Sequence, residues 1–187
     1  LSRISYGVSC CLSLDLAIGR CGFPSGRLSE ICGLESRGKS AHAYTILSEC
    51  QRLGGQGVLL ESEQGFEAQR LQQFGVKTDE LVLCQPKHLE NAFSMIEENI
   101  VGIRRDEKFI GPVVIVLDSV AGLPSEAEDQ GNYDDHHMGL SARIVSQGLR
   151  KVMWTVAEHK IVLIFLNQLR KNMNKYDPAG EYSCVVG

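Results

Sequence analysis

Residues 33–40 read Gly33-Leu34-Glu35-Ser36-Arg37-Gly38-Lys39-Ser40, a G-x-x-x-x-G-K-S spacing. Such a loop turns its backbone N–H groups onto an anion, while the lysine and hydroxyl at its end reach phosphate oxygens and Mg²⁺. The spacing means this only between a strand and a helix, because the helix N-terminus must face the anion. Both flanks comply. Upstream, Arg27-Leu28-Ser29-Glu30-Ile31-Cys32 alternates apolar and polar residues after a Pro24-Ser25-Gly26 turn, as a short strand does. Downstream, Ala43, Ile46, Leu47, Cys50 and Leu53 recur at helical spacing until Gly54-Gly55 stops the helix.

Outward from this unit the chain keeps alternating strand-like and helix-like runs, which predicts a parallel sheet with helices on both faces. Val58-Leu59-Leu60 and the stretch Glu80 to Cys84 read as strands, with a helix from Gly65 to Phe74 between them, capped by Gly75. Leu89, Ala92, Phe93, Ile96, Ile100 and Ile103 make one helical stripe. Five aliphatics in a row, Val113 to Leu117, read as a strand buried on both faces and ending at Asp118. Residues Leu123 to His137 are acidic and without period, as in a long surface loop. A helix is expected over Gly139 to His159, then a buried strand Ile161 to Leu166 ending at Asn167-Gln168, and a polar, mobile tail from Arg170. The fold class expected is α/β with three layers and a mostly parallel sheet of about five strands.

At 187 residues the chain fits one domain over 1–187 with a proper core. No stretch is apolar and long enough to span a membrane, and the N-terminus does not read as a signal peptide, so the expectation is a cytoplasmic protein. Seven cysteines, an odd number with no C-x-x-C pair, read as reduced thiols rather than disulfides or a zinc site. A net charge of −4 gives no general attraction to nucleic acid, so a DNA partner would need a local basic patch.

Ligands of an open parallel sheet gather at the carboxyl ends of its strands, and four such ends here carry groups that phosphoryl transfer uses. Lys39 suits the terminal phosphates, Ser40 suits Mg²⁺, and Asp118 suits an outer acidic role on that ion. Either Glu61 or Glu63 can activate a water; alternation puts both on one side of the strand, so spacing does not choose between them. Gln168 suits contact with a terminal phosphate. Arg143, Arg150, Lys151, Arg170 and Lys171 cluster in sequence around the loop Leu123 to His137 and the segment Arg170 to Gly187, and suit nucleic-acid phosphates. His136-His137, without a cysteine or carboxylate frame, reads as loop.

Together these motifs resemble the RecA-type recombinases, ATP-driven proteins that coat single-stranded DNA and exchange strands, most like the bacterial and phage members. The resemblance runs from Ile4 to Gly187. Ile4-Ser5-Tyr6-Gly7 with Leu12-Ser13-Leu14-Asp15 is similar to the family's opening, and Gly33 to Ser40 to its phosphate loop. Glu61-Ser62-Glu63 resembles its acidic-x-Glu and implies Glu63 as the base. Val116 to Val120 resembles its Mg²⁺ strand, His137 to Arg143 its first DNA loop and helix, and Ile164 to Arg170 the strand whose Gln senses the terminal phosphate. The resemblance implies ATP and Mg²⁺ as cofactors, single- and double-stranded DNA as partners, and a homo-oligomeric filament. It also implies DNA contacts at Met138, Arg143, Arg150, Arg170 and Met173, the last an apolar wedge between bases.

Two departures stand out: Arg37 in place of a small residue, and Arg70 where the family has an aromatic that stacks on adenine. The resemblance implies that the stretch 1–187 is expected to lack the family's N-terminal docking element and its C-terminal strands and domain. Leu28 to Cys32 is then expected at an open sheet edge, and the chain is expected to be a core fragment or a truncated member. Two alternatives are a non-catalytic, ATP-regulated DNA-binding or mediator module and a helicase-like or clock-type ATPase without recombinase activity.

Overall fold

The computed structural model describes residues 6–19, 21–62, 68–106, 109–130, 140–171 and 182–184. A small antiparallel pair, β1 (Tyr6–Val8) and β2 (Phe23–Pro24), brackets a short helix α1 (Leu12–Ile18), closed by Gly19 in the left-handed region. The main sheet follows. In chain order it contains β3 (Arg27–Gly33), β4 (Gln56–Glu61), β5 (Val82–Cys84), β6 (Val113–Asp118), β7 (Val162–Lys171) and β8 (Tyr182–Cys184). Its spatial order is β3-β7-β6-β4-β5, all parallel, with β8 antiparallel to β7. The helices are α2 (Lys39–Arg52), α3 (Ala68–Gln73), α4 (Leu89–Arg104), α5 (Glu126–Gln130) and α6 (Leu140–Glu158).

Successive side chains of a strand point to opposite faces, and the central strands split their apolar residues accordingly. Val58, Leu60, Val113, Ile115, Leu117, Leu163 and Phe165 pack with α4 and α6 on one face. On the other, Leu59, Val114, Val116, Val162, Ile164 and Leu166 pack with α2 and Leu71 of α3. The unbroken aliphatic runs seen in the sequence are thus strands buried on both sides, and the three layers follow from them.

Three local readings change. The stretch after Leu123 contains α5, because Ser125 and Glu128 bond reciprocally: the Ser125 N–H donates to Glu128 Oε2 (2.8 Å) and the Glu128 N–H to Ser125 Oγ (3.1 Å). This S-x-x-E box starts a helix without any apolar period. Strand β7 runs past Leu166 to Lys171, since Gln168 pairs with Gly33 and Leu169 with Cys184. Within the tail, Tyr182–Cys184 forms β8, a strand the sequence did not signal. As expected, β3 lies at the sheet edge among the described strands, with Glu30 and Cys32 exposed.

Candidate functional site

The chain jumps from β3 over β7 and β6 to β4, and ligand crevices open at the carboxyl ends of strands where the order reverses in this way. The loop 33–38 lies there. Ser36 and Gly38 take left-handed conformations (φ 57° and 85°), which fold the loop back on itself and deliver Gly38 as the N-cap of α2. No side chain caps that helix end, so its first N–H groups face the loop's hollow. Lys39 bends back over the loop, its Nζ donating to the carbonyls of Gly33 (3.1 Å) and Leu34 (2.9 Å).

A cleft of about 180 Å³ opens beside this loop. It is walled by Glu35 to Ser40 on one side and by Arg70, Asp118, Ser119 and Gln168 on the other. The structure therefore brings together residues from α2, α3, β6 and β7 that lie up to 133 positions apart. Arg37, Lys39 and Arg70 set three cations against Glu35 and Asp118, a charge excess suited to a polyanion. The Ser40 hydroxyl and the Asp118 carboxylate are hard oxygen donors of the kind Mg²⁺ takes.

Ser62, which the sequence reading left without a role, fixes the far wall. Its N–H donates to the Asp118 carbonyl (2.8 Å), and its hydroxyl accepts from the Ser119 N–H (2.9 Å) and donates to the Ser119 carbonyl (3.2 Å). Gly122 comes so close that a β-carbon there would lie 2.6 Å from Ser62 Oγ. Asn167, fully buried, holds the Gln168 end: its Oδ1 accepts from the Gln168 N–H (2.8 Å) and its Nδ2 donates to Glu30 Oε1 (2.7 Å). No sequence spacing signals these bonds across 57 and 137 residues.

Other candidates fall elsewhere. Glu61 is buried at the end of β4, in register with Asp118, and lines a neighbouring hollow of about 630 Å³ instead of the cleft beside the loop 33–38. Arg143 and Arg150 are exposed on α6, away from the cleft, with Arg150 Nε donating to the Ser146 carbonyl (3.2 Å). Lys151 pairs with Glu97 of α4 at 2.6 Å. Arg170 belongs to β7 opposite Ser183. Glu63, His136, His137, Met138 and Met173 lie outside the described residues. Among the described residues no helix is long and apolar enough to cross a membrane.

Comparison with known proteins agrees with this architecture. The family model "RecA N-terminal domain" matches residues 2–178. Among similar proteins, Protein RecA of Clostridium acetobutylicum is 41% identical over 173 residues, covering 92% of this chain and 47% of that protein. Protein RecA of Brevibacillus brevis is 40% identical over 171 residues (91% of this chain, 47% of that protein). That of Bacillus pumilus is 38% identical over 172 residues (92% and 48%). The chain spans about half the length of these relatives.

Proposed function

This chain belongs to the RecA family, and from that premise we propose that residues 1–187 form the ATPase core of a cytoplasmic, ATP-dependent DNA recombinase. The whole protein would bind ATP-Mg²⁺ and single-stranded DNA, pair it with double-stranded DNA, and serve homologous recombination and repair as a filament of like subunits. The observation that carries the reading is the cleft in which the loop 35–40 faces Asp118 and Gln168.

In this reading the loop N–H groups and Lys39 hold the phosphates, Arg70 lies against the base, Ser40 holds Mg²⁺, and Asp118 acts on that ion from its outer coordination sphere. Bound Mg²⁺ supplies neutralisation of charge on the phosphate oxygens. Glu63 takes the proton of the attacking water, and Gln168 touches the terminal phosphate and passes its presence along β7 toward Arg170 and Met173. Met138, Arg143 and Arg150 complete the DNA-facing set.

The test is ATP hydrolysis by the full-length parent with and without single-stranded DNA. DNA should stimulate turnover; Lys39→Ala should abolish it together with nucleotide binding, whereas Glu63→Ala should keep binding and lose turnover. Hydrolysis indifferent to DNA would favour a helicase-like or clock-type ATPase, and nucleotide-dependent DNA binding without hydrolysis a mediator module. Turnover surviving Glu63→Ala would return the base to Glu61.

A further inference from the structure

Outside the cleft, three soft ligands converge where the segment before α1 crosses the first turn of α2. Cys10 Sγ lies 3.4 Å from His42 Nδ1, and the Cys10 Sγ, Cys11 Sγ and His42 ring-nitrogen ligand atoms all fall within 4.8 Å of one another. All three residues are partly buried. Tetrahedral Zn²⁺ with Zn–S near 2.3 Å and Zn–N near 2.05 Å sets a sulfur and a nitrogen ligand about 3.6 Å apart, close to the 3.4 Å between Cys10 Sγ and His42 Nδ1, and the 4.8 Å spread leaves Cys11 within a small adjustment of the third position. Asp15 steadies the segment that carries the two cysteines, accepting from Ser9 Oγ (2.5 Å) and from the Cys10 N–H (3.4 Å).

We propose that Cys10, Cys11 and His42 form a binding site for a soft divalent cation, with Zn²⁺ the natural occupant and a water in the fourth position. Thiolate and imidazole together select such ions over Mg²⁺ or Ca²⁺. Binding breaks two S–H bonds and forms two S–metal bonds; both protons go to the buffer, and His42 lends its Nδ1 lone pair while Nε2 keeps its proton. Because both cysteines bind as thiolates, protons compete with the metal and affinity falls with acidity. The site clips the entry to α1 onto the helix whose first two residues are Lys39 and Ser40. It is separate from the nucleotide cleft and its Mg²⁺.

A second cluster, Glu30, Cys32 and Cys184, has the same spread, but Glu30 and Cys32 are exposed and the Glu30 carboxylate is engaged by Asn167. It serves as the control.

The experiment is titration of the reduced, metal-stripped 187-residue chain with Co²⁺, followed by displacement with Zn²⁺. One Co²⁺ per chain should bind, with a thiolate-to-cobalt absorption band that Zn²⁺ abolishes. Cys10→Ser, Cys11→Ser and His42→Ala should each weaken binding by about tenfold or more, since even outer partners of a metal site cost 10–100-fold. Cys32→Ser with Cys184→Ser should change nothing. A readout on the unsubstituted chain covers variants that fail to fold: Zn²⁺ should protect Cys10 and Cys11 from alkylation, mapped by mass spectrometry, and leave Cys32 and Cys184 reactive. No stoichiometric binding, binding that survives all three substitutions, or protection of Cys32 and Cys184 in place of Cys10 and Cys11 would overturn the proposal.

Discussion

Gly122→Ala should damage the cleft wall without touching any residue that lines the cleft's loop. Gly122 ends a short 3-10 turn, Val120–Gly122, with no positive φ, so the obstacle is space alone. A β-carbon would sit 2.6 Å from Ser62 Oγ, whereas ordinary contact begins at 3.4 Å, so the hydroxyl must retreat by about 0.8 Å. Moving it breaks both its bonds to Ser119, which is almost fully buried. Two lost hydrogen bonds cost about 1 kcal/mol each, and a stranded buried N–H about 1–3 kcal/mol where no water reaches it. Against this, alanine loses less entropy on folding than glycine, returning about 0.4–1 kcal/mol. The net is a destabilisation of about 2–4.5 kcal/mol, roughly thirty- to two-thousandfold in the folding equilibrium.

The pairwise nature of the clash gives the sharper forecast. In a Ser62→Ala background the hydroxyl is gone and the next neighbours, Ser62 Cβ and Ser119 Oγ, stand at 3.5 Å. Gly122→Ala should then be neutral or slightly stabilising, so the double-mutant cycle carries a coupling of about 2–5 kcal/mol. Urea unfolding of the four variants measures this, and nucleotide affinity in Mg²⁺ should fall in step with displacement of Asp118. Additive costs, or a Gly122→Ala penalty below about 0.5 kcal/mol with Ser62 intact, would refute the reasoning.

Gly38→Ala meets no neighbour within 4 Å, yet φ is +85°, so it should lose about 1–2 kcal/mol and weaken nucleotide binding; Gly38→Asn, better suited to that φ, should lose less, as paired melting and binding curves would reveal. Gly148→Ala on α6 would overlap the Phe93 ring, itself held edge-on to Phe165 at 6.1 Å, and overpacking of about 1–3 kcal/mol should outweigh the roughly 1 kcal/mol gained in helix propensity; Phe93→Leu should relieve it in urea unfolding. Burial pushes the Cys50 thiol up to about 12 from 9.0, so its contribution to stability is full below about pH 9 and is lost as pH climbs toward 12; urea midpoints of the parent should fall more steeply over that window than those of Cys50→Ala.

Local chemistry by itself determined much of this protein. Aliphatic runs such as Val113 to Leu117 have no polar face, so they become central strands whichever neighbours they find. A G-x-x-x-x-G-K-S octet between a strand and a helix dictates an anion-facing loop through backbone geometry alone. Glu35 to Ser40, Asp118 and Gln168 were therefore legible as candidates, with Arg70 added only by the family resemblance, and all of them line one cleft. Tertiary structure decided what depends on partners distant in sequence. It paired Ser62 with Ser119 and Asn167 with Glu30, drew Gln168 level with Gly33, and extended β7 to meet β8. It also brought His42, which had no role in the sequence, to Cys10. Periodicity encodes which face a residue takes. Register and crossover order decide what it meets there, and those are set by the packing of the whole sheet.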